Sequence, residues 1–359
     1  MPEDLRGLDL RQAWDRPTRP RPIIVIGAGA IVRTAHLPAY QRLGFPVAGV
    51  FDVRLETAER LARDFGVAVA YRTLTEACHA GAGGEVVFDV AVPGDQVLPV
   101  LRCLPERAAV LIQKPMGDNL ETARDILQMC RDRGLTAALN FQLRFSPNVL
   151  ALGDVLARGL LGDIVDIEVR LLVRQPWETW AFMRGVPRLE VLYHSIHYID
   201  TIRLLAGEPR GAYCRAVGHP ALPDFTDPRS SIILDYGDRI RCSLALNHTH
   251  VFGEKHRTSI LKIEGTAGAA LLTMGVNLDY PHGLPDALEV ARDGRWSPVP
   301  LRGSWFTEAF EGPMSNLQRF VSGEDAALVS PVDDAIKTMA VVEACYLSSA
   351  QGGTPIPEP

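Results

Sequence analysis

At 359 residues the chain is longer than one hydrophobic core usually sustains, so two domains are expected. Hydrophobic residues make up 47% and charged residues 22%, a globular balance, and 37 Lys+Arg against 43 Asp+Glu leave a net charge of −6. That balance carries no electrostatic footprint for nucleic acid or an anionic membrane, which points to a small soluble partner. Cys78, Cys103, Cys130, Cys214, Cys242 and Cys345 form no C-x-x-C pair, no apolar leader follows Met1-Pro2-Glu3-Asp4, and no run is long enough to span a bilayer. A reducing cytoplasm is the expected location, with Asn247-His248-Thr249 an accidental sequon.

Residues 1–21 close with Arg16-Pro17-Thr18-Arg19-Pro20-Arg21-Pro22, a composition suited to an extended N-terminal arm. From Ile23 onward, apolar runs at 23–26, 47–51, 86–92, 108–112 and 135–139 read as buried strands. Amphipathic helical patterns lie between them at 31–43, 55–65, 95–104 and 118–133. This alternation predicts an α/β fold whose residues 22–142 form a doubly wound parallel sheet. After Arg144-Phe145-Ser146-Pro147 a helix near 148–159 precedes the alternating run 164–171. Further strands are expected at 211–217, 230–236, 239–247, 257–264, 268–274 and 287–291. Short connections between these make residues 143–359 an α+β domain with a large, mostly antiparallel open sheet, completed by a helix near 331–350.

Gly27-Ala28-Gly29 follows a strand and opens a helix, the context a dinucleotide fingerprint requires. Glycines there let backbone approach a pyrophosphate, whose charge the helix N-terminus favours. Val32 stands where a third glycine would serve helix–strand packing. Asp52 ends the second strand, where a carboxylate accepts hydrogen bonds from the adenosine ribose and repels the extra phosphate of NADP. Arg54 would instead hold that phosphate, so NAD is expected with NADP as the alternative; Asp52 also suits a helix cap. Gln113-Lys114-Pro115 ends another apolar strand on the same side of the sheet, with Pro115 restricting the turn that carries the ammonium.

In the second domain Tyr193-His194-Ser195-Ile196-His197-Tyr198-Ile199-Asp200 lies on a helical stretch. Tyr193 and His197 are four residues apart and His197 and Asp200 three, so both pairs share a face. His197 is the natural general base; the alternative is a core histidine satisfied by Asp200. His194 and His197 have the spacing of a metal pair, but no third ligand is near in sequence, so no metal is expected. Trp177 and Trp180 would stack on the apolar face of a sugar ring or anchor their own loop. His248, His250 and His256, around Gly253, suit subunit contact as well as substrate contact.

Together these residues resemble the Gfo/Idh/MocA oxidoreductases from about Pro22 to the C-terminal helix. The markers are the 27–29 turn, Lys114-Pro115, Arg144-Phe145-x-Pro147, His197-x-x-Asp200, Ile263-Glu264-Gly265-Thr266-Ala267-Gly268 and Asp333-Asp334-Ala335. The resemblance implies NAD(P)-dependent hydride transfer to or from a sugar, polyol or related hydroxy compound. Lys114 would orient the reacting oxygen and His197 would move the proton. Gly27, Ala28, Gly29, Ala30, Ile31, Asp52, Arg54, Val92, Pro93, Gln113 and Lys114 would hold the cofactor. Arg144, Tyr193, His194 and Trp177 would join Lys114 and His197 at the substrate, with Arg144 equally suited to a junction salt bridge. A homodimer or homotetramer through the C-terminal sheet is implied as well. Gln113 stands where the family usually has glutamate, Tyr193 where many members have aspartate, and a histidine often found beyond Val92-Pro93 is absent. An NAD-dependent glycosidase and a non-catalytic dinucleotide-responsive regulator are the competing functions.

Overall fold

The computed structural model describes residues 9–280 and 282–358. Two compact units each enclose a sheet: one comprises Leu10–Ala151 and Leu301–Met339, the other is built on Leu152–Pro300 and the chain from Ala340 onward.

The first unit holds six parallel strands, β1 (Ile23–Ile26), β2 (Val47–Phe51), β3 (Ala70–Tyr71), β4 (Val87–Val90), β5 (Ala109–Gln113) and β6 (Thr136–Asn140), in the order β3-β2-β1-β4-β5-β6. All four β1 side chains are buried, because a parallel strand covered on both faces has no solvent side. The connections carry α1 (Leu37–Leu43), α2 (Leu55–Phe65), α3 (Leu74–Ala80), α4 (Val97–Cys103) and α5 (Leu120–Asp132). Chemistry at the helix ends explains several boundaries. Thr73 and Glu76 form a reciprocal capping box on α3, Asn119 caps α5, and Gly44 and Gly66 take left-handed φ of 68° to stop α1 and α2.

Ile23, Val25, Val50, Leu61, Val87 and Leu111 form the centre of this core. Each contributes about 1.5–3 kcal/mol by leaving water, and Leu111→Ala would cost about 2–5 kcal/mol. The late helix α8 (Glu311–Val321) belongs to the same unit, adding Met314 and Leu317 to that core. Residues 10–21 have neither helix nor strand and are tied along this unit. The Trp14 indole donates to Asp325 at 2.8 Å, the Thr18 N–H to Glu324 at 3.0 Å and the Arg21 N–H to Gln318 at 2.8 Å.

Helix α6 (Pro147–Ala157) leads into the second unit, an eight-stranded sheet in the order β14-β13-β12-β11-β7-β10-β9-β8. Its strands are β7 (Ile164–Leu172), β8 (Gly211–Val217), β9 (Arg229–Asp235), β10 (Arg241–Asn247), β11 (Thr258–Gly265), β12 (Ala269–Thr273), β13 (Ala287–Arg292) and β14 (Arg295–Val299). Every pairing is antiparallel except β7 with β10. Along β9 and β10 burial alternates, so Ile232, Leu234, Cys242, Leu244 and Leu246 face the core while Ile233 stays exposed. Helix α7 (Ile196–Ala206) is buried at every position from Ile196 to Arg203, as a helix enclosed on all sides must be. The last helix, α9 (Val332–Gln351), runs from the first unit into the second.

Candidate active site

In the first unit the carboxyl ends of β1, β2, β4 and β5 bring the expected cofactor residues together. The chain leaves β1 at Gly27 with φ +105°, and a Cβ there would stand 2.3 Å from the Ala91 carbonyl oxygen, so only glycine fits beside β4. Val92 flanks the same glycine and Pro93 follows it, exposed. At Gly29 a Cβ would meet no atom within 4 Å, leaving the open approach to backbone that a phosphate needs. Ala30 and Ile31 are half-buried behind it. Instead of the regular helix implied by the 31–43 pattern, a π-helical turn, Val32–His36, precedes α1.

Asp52 binds this turn directly. One carboxylate oxygen accepts the Ala28 N–H at 2.9 Å and the other the Arg54 N–H at 2.9 Å. A carboxylate has about four acceptor positions, so lone pairs remain for ribose hydroxyls. The open Gly29 backbone and this anchored acid fit a dinucleotide. The Arg54 guanidinium is 3.8 Å from Asp52 and mostly exposed.

At the end of β5 the Gln113 carboxamide accepts the Lys114 backbone N–H at 2.8 Å. Lys114 keeps partial surface exposure, yet burial among protein atoms pulls its ammonium down to about 8, within reach of proton transfer near neutral pH. Arg144 takes the salt-bridge role: it is buried, pairs with Asp334 at 2.7 Å and donates to the Val329 carbonyl at 2.7 Å. Its fork is committed to that corner of the unit.

The second unit gathers the remaining residues around a second π-helical turn, Val191–Ser195, which feeds α7. The turn corrects the regular helical spacing assumed for Tyr193 and His197, because a π turn changes which side chains share a face. His197 lies in the first turn of α7 and is buried, and its carbonyl accepts the Thr201 hydroxyl at 2.8 Å. Asp200 lies 3.7 Å from the Arg203 guanidinium. Tyr193 is buried, with its ring edge-on to Phe182 at 5.9 Å. Trp177 is buried, with its ring 4.7 Å from Phe225 and edge-on to His194 at 5.5 Å.

The His194 ring is tilted 39° against His248 with centroids 4.3 Å apart, and His248 Nε2 is 3.4 Å from the buried Glu190 carboxylate, which accepts the Ser195 hydroxyl at 2.8 Å. Asp227 accepts the Leu189 N–H at 2.8 Å, and burial pushes its carboxyl up to about 7. Among the described residues no group of three or more His, Cys, Asp or Glu side chains is placed to hold a metal ion.

Glu190 and Asp227, and in the first unit His36, Asp89 and Asn140, carry no motif in the sequence that singles them out. Asp89 offered a signal, since a charge inside the apolar run Val86-Val87-Phe88-Asp89-Val90 must find a buried partner.

With this geometry established, comparison with known proteins is specific. Residues 22–141 match the profile described as an oxidoreductase family, NAD-binding Rossmann fold, and residues 154–357 match that family's C-terminal alpha/beta domain. A trans-1,2-dihydrobenzene-1,2-diol dehydrogenase of Mus musculus is 32% identical over 72% of this chain and 79% of its own length. A D-apiose dehydrogenase of Paraburkholderia graminis is 24% identical over 92% of this chain and 88% of its own. In fold, an oxidoreductase of Agrobacterium radiobacter solved with NAD+, L-tartaric acid and magnesium superposes with a TM-score of 0.79. It is 18% identical and covers 93% of this chain and 98% of its own.

Proposed function

The chain belongs to the Gfo/Idh/MocA oxidoreductase family, and from that premise we propose that it oxidises or reduces a secondary alcohol carbon flanked by a second hydroxyl, in a sugar, polyol or cyclic diol. It is an NAD(P)-dependent oxidoreductase acting on CH–OH groups. Vicinal hydroxyls are common to the substrates named for the dihydrodiol, apiose and glucoside dehydrogenases among its relatives. The observation carrying the reading is the convergence of the glycine turn, Asp52 and the Lys114 turn at one end of the parallel sheet.

Gly27–Ile31, Asp52, Arg54, Val92, Pro93 and Gln113 hold the dinucleotide. The open backbone at Gly29 faces its phosphates, and Asp52 binds the ribose and favours NAD over NADP. When bound, the nicotinamide supplies the hydride chemistry. Lys114 donates to the reacting oxygen and polarises it, and His197 takes or returns the hydroxyl proton. Tyr193 and His194 orient the second hydroxyl. The aromatic surroundings of Trp177 and His194 support a ring-shaped substrate. A cytoplasmic homodimer or homotetramer associating through the outer face of the second unit's sheet completes the reading; exposed Tyr213 and Ile233 on that face support it. No helix among the described residues is long and apolar enough to cross a membrane.

Reduction of NAD and NADP against a panel of aldoses, polyols, glycosides and cyclic diols, with Lys114→Met beside wild type, tests this. Lys114→Met is expected to lower kcat by about 10²–10⁴-fold. The wild-type kcat/KM profile should inflect near pH 8, the value to which burial pulls Lys114. Undiminished turnover in Lys114→Met overturns the assignment, and cleavage of a glycoside without net NADH would replace it with the glycosidase.

A further inference from the structure

A buried polar network beneath the Lys114 turn extends the catalytic reading of Lys114, on which it rests. Five side chains meet in an otherwise apolar interior: His36 ending the π turn, Tyr40 on α1, Asp89 on β4, Gln113 ending β5 and Asn140 ending β6. His36 and Asp89 are fully buried, and the other three nearly so. The chemistry of the donors fixes the hydrogens. The Lys114 backbone N–H can only donate, so the Gln113 atom 2.8 Å from it is the amide oxygen. The Gln113 amide nitrogen therefore faces His36 Nε2, at 3.3 Å, and the Asn140 amide nitrogen approaches the same atom at 3.2 Å.

Two donors on one ring nitrogen require a lone pair there. The ring proton must sit on Nδ1, 2.8 Å from Asp89 Oδ2, which also accepts the Tyr40 hydroxyl at 2.8 Å. The dependence runs in both directions: a proton on Nε2 would force Gln113 to turn its oxygen toward the ring and release the Lys114 N–H. With water excluded, each of these donors turned away from its acceptor would cost about 1–3 kcal/mol, which favours this arrangement even with Asp89 Oδ1 and Asn140 Oδ1 unmatched among the described residues.

We propose that His36, held in the Nδ1–H tautomer by Asp89, is a positioning residue that fixes the Gln113 carboxamide and, through it, the backbone from which the Lys114 ammonium is aimed. It never touches substrate. Its effect is on kcat, because a displacement of the Lys114 backbone misdirects the ammonium without altering the glycine turn or Asp52.

Two substitutions separate the ends of the ring. His36→Asn keeps a donor for Asp89 but removes the acceptor at Nε2, whereas His36→Gln restores an acceptor there. Using the substrate found in the panel, His36→Asn is expected to lower kcat by about 10- to 100-fold while leaving the KM for NAD within about threefold. His36→Gln should return kcat to within about threefold of wild type. Equal losses in both variants, or normal kcat in His36→Asn, overturn the proposal. If Lys114→Met is inactive in the same assay, the role of Lys114 survives that result. A readout independent of activity is the imidazole nitrogen spectrum of the full chain labelled with ¹⁵N-histidine. A protonated Nδ1 and bare Nε2 are expected for His36, with both nitrogens protonated in Gln113→Glu. An Nε2–H tautomer in the wild type refutes the proposal even where neither His36 variant folds.

Discussion

Each unit uses a π-helical turn to deliver a histidine, and the contacts around the two differ in kind. The turn Val32–His36 places His36 among directional partners, with Asp89 on one ring nitrogen and the Gln113 and Asn140 amides on the other. The turn Val191–Ser195 places His194 beside rings, tilted against His248 at 4.3 Å and edge-on to Trp177 at 5.5 Å. Hydrogen bonds impose one geometry, while ring contacts tolerate offset and tilt at little cost. The parallel-sheet unit thus holds its histidine by directional contacts, and under the proposed function the ring contacts of the antiparallel unit would lie on the substrate side. Interrupted helices of this kind gather at functional sites because they re-aim side chains that a regular helix would point elsewhere.

The contrast breaks most readily at Asp89. Asp89→Ala leaves the His36 Nδ1–H and the Tyr40 hydroxyl buried with their shared acceptor removed. Each buried donor left without an acceptor costs about 1–3 kcal/mol, so the pair costs about 2–6 kcal/mol. A free energy of unfolding in urea lowered by that amount is the expected outcome. A loss below about 1 kcal/mol, the net value of an ordinary hydrogen bond, would mean that the first unit is no more tightly specified than the second.

What the sequence revealed of these two regions follows from the range of the interactions that build them. Buried runs such as Ile23–Ile26 and alternating runs such as Ile164–Leu172 announce themselves through local periodicity, so most strands of both sheets were legible, as was the family. The two-residue strand Ala70–Tyr71 and the helix Leu74–Ala80 behind it were missed, since two residues carry no period. The edge strand Arg295–Val299 was missed as well: mostly exposed, it lacks an apolar face. Neither π turn was readable, because an extra residue in a turn leaves composition unchanged and only shifts register. The parallel pairing of Ile164–Leu172 with Arg241–Asn247 also lay beyond local pattern, joining segments over seventy residues apart in sequence. At the site, the glycine turn, Asp52 and Lys114 were legible as motif residues. His36, Glu190 and Asp227 were hidden because their meaning depends on partners supplied by distant strands.

A buried carboxyl in the second unit sharpens the comparison through pH. The principal influence on Asp227 is loss of water, which pushes its carboxyl from 3.8 up to about 7, with Glu190 adding to the rise. Between those values the folded chain binds more protons at this position than the unfolded chain. Its contribution is therefore complete below pH 4 and is lost as pH climbs through about 7. The nominal range of that loss is up to about 4 kcal/mol. Asp227→Asn keeps an acceptor for the Leu189 N–H and removes the titration, so its stability should change less between pH 5 and pH 8 than that of wild type. Parallel pH dependences in the two proteins would show that Asp227 is not the group responsible.

The smallest effect is expected at Glu190, whose oxygens both accept the Ser195 hydroxyl, at 2.8 and 2.9 Å. Glu190→Gln preserves one acceptor and the shape of the side chain. A stability loss of about 1 kcal/mol is expected, well below that for Asp89→Ala. Removing the charge 3.4 Å from His248 should nevertheless change the KM for substrate while leaving the KM for NAD unmoved, because Glu190 and the glycine turn belong to different units. Equal changes in both constants would show that Glu190 does not act on a substrate site in the second unit, and the proposed role of Tyr193 and His194 would fall with it.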